Sequence, residues 1–335
     1  MKNSGEKKLE CREELLRQME SDLAINAIYI RGQANPVKKC WHFYTDGNAV
    51  DRLFDDREDF KAGMNRVFTV GRKYRLFILA FVLMDTHVHF VIWGDFDKCN
   101  KFIHEYIRIT SIYIQNKCGE RNKLKRVSIS HQKITDDYYL KSAICYVLKN
   151  ATNAGMNFLA CDYPWGSCPL YFRSKGYWSS PLFTTDLYKL NQKHSNLNQM
   201  CVRDRRTLLK TRHNDQAEDI EIIDGIVYPG EYIPYKSVER IFKTAKSFSF
   251  FMNRTKEEDI EKVKGTISRL SIPIQELRQH REEICRSLYG NKTIRQLSAE
   301  ERLKIVQIMK GKLHSSPKQI YRVCCLKYDE NNNHK

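Results

Sequence analysis

Two histidines two positions apart are the residues of this chain best suited to begin a divalent-metal site. They lie in the segment MDTHVHFVI, 84–92, at the start of a β-favouring run, 87–93, that predicts a strand. Side chains two apart on a strand point to the same side, so His87 and His89 would present their imidazoles together. Two neighbouring imidazoles supply half of a metal site. The tripeptide alone is a weak signal, because histidine pairs also occur on ordinary strands.

A second pair of candidate residues lies on a predicted helix further along the chain. Tyr146 and Asn150 are four positions apart in the segment AICYVLKN, 143–150, and therefore share one helical face. An amide oxygen can complete a hard-cation site that two imidazoles begin. The phenol would then be aimed at a phosphate bound by that cation, which makes Tyr146 a candidate nucleophile. Taken alone, Tyr146 would be interpreted as a core aromatic residue.

Together, these segments resemble the single-tyrosine transposases of the His-hydrophobic-His (HUH) superfamily, of the insertion-sequence-200-like and REP-associated kinds. The segment ILAFVLMDTHVHFVIW is similar to that family's strand with its histidine pair. The segment YVLKNATNAGMNFLACDYPWGS is similar to its tyrosine helix and the loop that follows. The resemblance covers about 39–167, roughly two fifths of the chain.

The resemblance implies a metal-dependent enzyme that cuts single-stranded DNA. By it, His87, His89 and Asn150 bind Mg2+ or Mn2+, and Tyr146 forms a 5′-phosphotyrosine that a free 3′-hydroxyl later attacks. It also implies recognition of single-stranded or hairpin DNA and is compatible with a homodimer, with the tyrosine acting in cis or across the dimer. Where REP-associated members usually have Asn-Pro after the tyrosine, this chain has Asn150-Ala151, so the subgroup is not assigned.

The elements that must position these residues alternate between strands and helices. A turn at Asp85-Thr86 would join two strands as a hairpin, and Asp136 or Asp137 would cap the helix that carries Tyr146. The order predicts an α+β fold with one antiparallel sheet and packed helices, in a ferredoxin-like arrangement. The predicted elements are strands at 39–45, 74–84, 87–93 and 127–134 and helices at 55–70, 98–117 and 138–151.

The rest of the chain is divided by composition. We predict an N-terminal helix within 1–30, a catalytic domain at 31–190, a polar linker at 191–223 and a mostly helical extension at 224–335.

The extension ends in two predicted helices, 299–309 and 317–326, with Ser298 as N-cap and Glu301 in a capping box. Two helices joined by a short turn near basic residues suggest a helix-turn-helix that binds duplex or hairpin DNA. A helical hairpin that only packs on the core fits the same pattern. The candidate DNA-binding residues are Lys310, Lys312, Lys318, Arg322 and, beside the candidate metal ligand, Lys149.

Charge and composition narrow the class of partner. The formal net charge is +17, which favours a polyanion, with nucleic acid ahead of an anionic membrane surface. The longest strongly apolar run, 76–84, is too short to span a bilayer, and the first 20 residues lack a secretion signal. We therefore expect a cytoplasmic protein, and the resemblance implies a bacterial one that is nucleoid-associated when bound to DNA. The eleven cysteines include no C-x-x-C pair, which predicts reduced thiols.

Other functions remain as alternatives at this stage. A relaxase or replication initiator would use the same chemistry, although no Gly-rich phosphate loop is present. A non-catalytic DNA-binding regulator descended from a transposase is the strongest rival. Tyr138 and Tyr139 could act as secondary nucleophiles, and His42 and His131 could approach the metal, but scaffold roles are favoured for all four.

Overall fold

A computed structural model describes ten parts of the 335-residue chain, namely 4–28, 33–47, 53–119, 124, 127–156, 159–173, 193–211, 219–254, 274–312 and 317–326. Side chains are described for these parts except at 4–10, 274–276, 311–312 and 317–318.

A four-stranded antiparallel sheet lies at the centre of the described structure. Its strands are β1 (Pro36–Thr45), β2 (Phe77–Leu83), β3 (Val88–Trp93) and β4 (Ile129–Asp136), in the order β2-β3-β1-β4. The predicted hairpin is present, because β2 pairs with β3 across the turn at Asp85-Thr86. The α+β class predicted from the sequence, with an antiparallel sheet and packed helices, is confirmed.

Helices cover both faces of this sheet. On one face lie α2 (Arg57–Tyr74) and α3 (Phe96–Cys118), and Phe90 of β3 contacts the rings of Phe102 and Tyr106 there at 5.2 and 5.3 Å. On the other face lies α4 (Asp137–Asn153), the predicted tyrosine helix. We call these the packing face and the site face.

The N-terminal helix α1 (Ser4–Asp22) forms where the sequence predicted it and packs on the central core through the buried Met19. After α4, the loop at 159–173 covers the sheet, and Tyr163 donates a 2.7 Å hydrogen bond to the carbonyl oxygen of Leu83.

The stretch predicted as a linker, 191–223, differs from that expectation in its described residues. It holds β5 (His194–Asn196), α5 (Val202–Leu209) and β6 (Glu221–Ile223), which pairs on its other side with β7 (Ile226–Val227). The boundary expected after residue 223 therefore falls inside a hairpin. This small sheet packs on α2 through a separate apolar cluster of Phe68, Leu197, Leu209, Ile220, Ile222 and Val227.

A buried asparagine on α2 explains how this polar stretch is held. The side chain of Asn65 donates to the carbonyl oxygens of Leu208 at 3.3 Å and Gly225 at 2.9 Å, and it accepts from the backbone N–H of Val227 at 2.8 Å. The segment is therefore held by a few apolar residues and by the hydrogen bonds of Asn65. It has no long periodic apolar pattern from which its fold could be predicted.

The C-terminal extension has two parts with different packing. Helices α6 (Tyr235–Phe242) and α7 (Ala245–Arg254) join the central core. Helices α8 (Ile274–Tyr289), α9 (Ala299–Lys312) and α10 (Pro317–Val323) surround an apolar cluster of their own. The predicted helices α9 and α10 are present, and the predicted capping box is formed, with Ser298 N–H donating to Glu301 at 2.7 Å.

Two general properties complete the description. In the described parts, no helix is long and apolar enough to cross a membrane. All eleven cysteines are free thiols.

Candidate functional site

His87 and His89 stand at the start of a central strand. His89 lies on β3 opposite Tyr44 of β1 and Val82 of β2, and only 3% of its surface is exposed. His87 comes just before β3, in the turn that the backbone N–H of Met84 closes by donating to the carbonyl oxygen of His87 at 2.8 Å. The two imidazole centroids are 4.9 Å apart, as expected for side chains on one side of the strand.

Asn150 approaches this pair from α4. Asp136 caps the helix by accepting from the Tyr139 backbone N–H at 2.8 Å. Further along, the amide nitrogen of Asn150 donates to the carbonyl oxygen of Tyr146 at 2.9 Å. This bond turns the amide oxygen outward, and that oxygen lies 3.3 Å from Nε2 of His87.

The separation of these two atoms suits a shared cation. Adjacent ligands of an octahedral Mg2+ ion, with bonds of about 2.1 Å, lie about 3.0 Å from each other. The observed 3.3 Å between His87 Nε2 and Asn150 Oδ1 is close to that value. The donor set of imidazole and amide therefore fits a divalent ion, although no group of three or more His, Cys, Asp or Glu in the described residues is placed to hold one.

The Nδ1 atoms of both histidines have partners that orient the rings. Nδ1 of His87 lies 2.8 Å from the hydroxyl of the buried Thr86, and Nδ1 of His89 lies 3.1 Å from Nε2 of His42. A neutral imidazole has one N–H and one lone pair, so an Nδ1 that donates leaves Nε2 as the metal-binding atom. Thr86 and His42 thus stand where the supporting residues of a metal site are expected.

Tyr146 lies against the histidines. Its ring centroid is 5.6 Å from that of His89 and 5.7 Å from that of His42, edge-on in both cases. The side chain is buried, with 4% of the residue exposed. The structure therefore brings together all four residues singled out as metal ligands or nucleophile, and it encloses the tyrosine in the layer between β1, β3 and α4.

The alternative tyrosines are placed differently. Tyr139 donates to the side-chain oxygen of Gln132 at 2.7 Å, and burial, followed by the nearby Tyr44 and Asp136, raises the pKa of its phenol. A raised pKa disfavours the nucleophilic phenolate. Tyr138 is half-exposed and contacts Phe251 instead of the histidines.

The other two histidines considered from the sequence, His42 and His131, lie on opposite faces of the central sheet. His42 is fully buried on the site face. His131 lies on the packing face, with its ring centroid 4.8 Å from that of Phe96 and 5.5 Å from that of Phe43. The sequence offered His42 as a residue that could approach the metal but favoured a scaffold role for it. The alternation of side chains along β1 is the sequence pattern that places His42 on the site face, together with Tyr44.

The predicted DNA-binding residues are scattered. Lys149 is half-buried on α4 beside Asn150, and Lys310 is exposed, with its ammonium 4.9 Å from the ring centroid of Tyr321. Arg322 lies near the site, because a Cβ built on Gly47 would be 3.2 Å from a guanidinium nitrogen of Arg322 and 2.9 Å from Nδ1 of His87. The side chains of Lys312 and Lys318 lie outside the described residues.

The extension also touches the site through an ion pair that the sequence did not suggest. Arg278 of α8, with 5% of its side chain exposed, forms a short salt bridge with Asp85 in the turn before His87. The three-helix unit α8–α10 is thus docked at the end of the sheet where the candidate ligands lie.

Comparison with known proteins gives no match to this chain among family models, curated proteins or solved structures.

Proposed function

We propose that this protein is a single-tyrosine transposase that cuts and rejoins single-stranded DNA through a 5′-phosphotyrosine intermediate. The observation that carries the proposal is the convergence of His87, His89, Asn150 and Tyr146 on the site face, with His87 and Asn150 in contact across 63 positions of sequence. Separate elements have to fold together to create this arrangement.

The proposal extends to the fold. We propose that the central sheet and its helices form the ferredoxin-like fold of HUH enzymes. The succession strand, helix, strand, strand, helix, strand supports this, as does a sheet whose central strands are β1 and β3.

The chemistry follows from the residues present. His87, His89 and Asn150 would hold Mg2+ or Mn2+, which when bound neutralises charge on the scissile phosphate. Tyr146 gives up its proton to solvent and attacks phosphorus in line, so that a Tyr–O–P bond forms while the P–O3′ bond breaks. The leaving 3′-oxygen takes up a proton. Attack by another 3′-hydroxyl reverses the step and joins new ends without a nucleotide cofactor.

The partners and location are part of the same proposal. Single-stranded or hairpin DNA is the proposed substrate, consistent with the net charge of +17. Helices α9 and α10 would contact the duplex part of a hairpin as a helix-turn-helix, and two copies would work as a homodimer. We propose that the protein acts in the bacterial cytoplasm, at the nucleoid when DNA-bound.

A second candidate function is favoured by the burial of Tyr146. A nucleophile with 4% exposure must be uncovered before it can meet a phosphate, whereas a DNA-binding regulator derived from a transposase does not need that step. The two functions predict different products with DNA, so one experiment separates them.

The test is formation of a covalent adduct. Wild-type protein is incubated with labelled single-stranded libraries that include hairpins, in Mn2+ or in EDTA, and the products are separated under denaturing conditions. We expect a Mn2+-dependent adduct that Tyr146→Phe abolishes and the matched control Tyr139→Phe retains. Tight DNA binding with no adduct on any library would instead establish the regulator.

A further inference from the structure

Helix α7 is attached to the core by some of its aromatic residues and leaves another outside. Phe248 packs on Phe242 and Phe172 with ring centroids 5.0 and 5.4 Å apart, and Phe251 packs on Phe242 at 6.0 Å. Phe250 takes no part in this packing, and 51% of its surface is exposed. The stability of α7 on the core therefore does not explain an exposed phenylalanine at this position.

Phe250 belongs to a continuous row of rings that reaches α4. Its ring lies 5.7 Å from that of Phe251, which lies 5.4 Å from that of Tyr138, itself 49% exposed. We call Tyr138, Phe251 and Phe250 the aromatic row. Its two end rings are exposed and its middle ring, Phe251, is partly buried against the core, so the row differs from the isolated exposed apolar residues that are normal on proteins.

Positive charge accompanies the row. The ammonium of Lys141 lies 5.7 Å from the centroid of Phe251, and the guanidinium of Arg254 lies 5.6 Å from that of Phe250. The stretch 240–254 contains four basic residues and no acidic one. The nearby carboxylate of Asp137 is bonded to Lys141 at 3.4 Å and to the Asn35 backbone N–H at 2.9 Å.

Flat rings flanked by cations suit one chemical class of ligand. Unpaired nucleobases stack on aromatic side chains whatever their sequence, and the phosphates between them attract Lys and Arg. Duplex DNA would be attracted only by the basic side chains, because its bases are already stacked and paired and cannot stack on the rings. A purely apolar partner would gain nothing from Arg254 and Lys141.

The row also leads toward the candidate site. Positions 138, 142, 145 and 149 follow one stripe of α4, on which Tyr138 is exposed, Cys145 is buried and Lys149 is half-buried. Tyr138 and Tyr146 are eight residues apart on α4, which corresponds to about 12 Å along its axis. The row and the candidate site are therefore close enough for one bound strand to reach both.

We propose that the aromatic row binds the bases of single-stranded DNA and guides that strand to the candidate site. This inference rests on the proposed function for the identity of the strand, but the binding it describes needs neither metal nor cleavage. It adds a substrate-contacting surface on α7 to the residues already named.

The test measures binding of a fluorescent oligothymidylate by the full chain in EDTA, where no cleavage occurs. We expect Phe250→Ala to weaken binding about 10-fold, in line with the loss of one base–aromatic stack, and Phe250→Trp to retain it. The matched control is Ile112→Ala, which removes another exposed apolar side chain, 44% exposed, from α3. Quenching of a 2-aminopurine base in the oligonucleotide should fall with Phe250→Ala, which a merely structural role would not change.

Two results would overturn the inference. The first is an unchanged affinity of Phe250→Ala for the oligonucleotide; if the sedimentation coefficient changes at the same time, the row belongs to contacts between copies of the chain. The second is an equal loss of affinity for duplex and single strands.

Failure of the proposed function gives a different pattern. In that case no Tyr146-dependent adduct forms, while the Phe250 effect on binding in EDTA persists. If the adduct forms and Phe250→Ala binds normally, only the inference about the row is wrong.

Discussion

The two faces of the central sheet both carry histidines, but the partners of those histidines differ. On the site face, His42 and His89 are joined by a 3.1 Å contact between ring nitrogens and lie beside Tyr146. On the packing face, His131 contacts the rings of Phe96 and Phe43. Neighbouring strands thus use the same residue type for polar linkage on one side and for ring packing on the other.

This difference shows that chemistry depends on what each imidazole meets. Residue type and strand position alone would make His131 as good a candidate ligand as His42. Only the site face combines imidazole nitrogens with an oriented amide oxygen, at 3.3 Å from His87. Changes on this face should therefore alter ligand binding, while changes on the packing face should alter stability alone.

The largest effect is expected from removing a candidate ligand. His87→Ala and Asn150→Ala each delete an atom of the proposed metal site, and we expect Mn2+ affinity to fall by at least about 100-fold, the upper end of what supporting residues contribute. Isothermal titration with Mn2+ measures this, with His131→Ala as the matched control. The comparison between the faces fails if His131→Ala weakens Mn2+ binding as much.

The next largest effect concerns the ion pair that docks the three-helix unit at the site. Asp85→Asn removes the carboxylate charge that pairs with the guanidinium of Arg278, whose side chain is 5% exposed, and we expect a loss of about 3 kcal/mol in the free energy of unfolding. Urea denaturation provides the measurement. Adding Arg278→Met should recover much of the loss.

A carboxylate whose cationic partners are solvent-exposed supplies the control for this experiment. Glu105 lies 2.9 Å from Lys73 and 3.2 Å from Arg108, whose side chains are 57% and 60% exposed, so both cations stay hydrated in Glu105→Gln, which should cost less than about 1 kcal/mol. Equal losses for Asp85→Asn and Glu105→Gln would show that the Arg278 pair does not hold the extension in place.

A smaller effect is expected at His42, which touches the site through another residue. His42→Ala removes the partner of His89 Nδ1 and should weaken Mn2+ binding by about 10- to 100-fold. His42→Gln can still place a side-chain carbonyl oxygen near that N–H as an acceptor, so it should retain part of the affinity. Normal unfolding with weakened Mn2+ binding identifies a positioning role, whereas a loss of stability alone would assign His42 to the scaffold.

Much of the sheet was predictable because its signals are local. The two long β-favouring runs around Asp85-Thr86 specify a hairpin without help from the rest of the chain, and the structure contains it. The sequence predicted Asp136 or Asp137 as the N-cap of α4, and in the structure Asp136 accepts from the backbone N–H of Tyr139. The pairing of Tyr146 with Asn150 on one helical face needed only helix geometry.

The rest depends on contacts between distant segments. The link between His42 and His89 requires the register of β1 against β3, and that between Asp85 and Arg278 joins positions 193 apart. Neither leaves a local pattern. The stretch 191–223, expected to be a linker, contains short strands in its described part for the same reason. These strands have only three residues each and pack on α2, so their apolar contacts leave no periodic pattern in the sequence.

The smallest expected effect lies on the packing face, at the cap of α2. Asp56 accepts from the backbone N–H of Asp59 at 3.0 Å and forms a capping box with it, so Asp56→Ala should cost about 1 kcal/mol of unfolding free energy. Glu58→Ala, in the same first turn but 70% exposed, is the control and should cost a few tenths. Neither change should alter Mn2+ or DNA binding at neutral pH.

The pH dependence of this cap has a definite sign. Burial acts to raise the pKa of Asp56, but the hydrogen bond from Lys117 and the Asp59 backbone N–H outweigh it, and the folded-state pKa lies below the ordinary 3.8. The stabilisation is therefore complete above that value and is lost as the pH falls through the lower, folded-state pKa. Urea titrations should show the gap between wild type and Asp56→Ala closing in acid, while a gap that persists at the lowest pH would exclude the carboxylate as its source. Since this loss occurs on the packing face, Mn2+ affinity measured at neutral pH should be the same for both proteins.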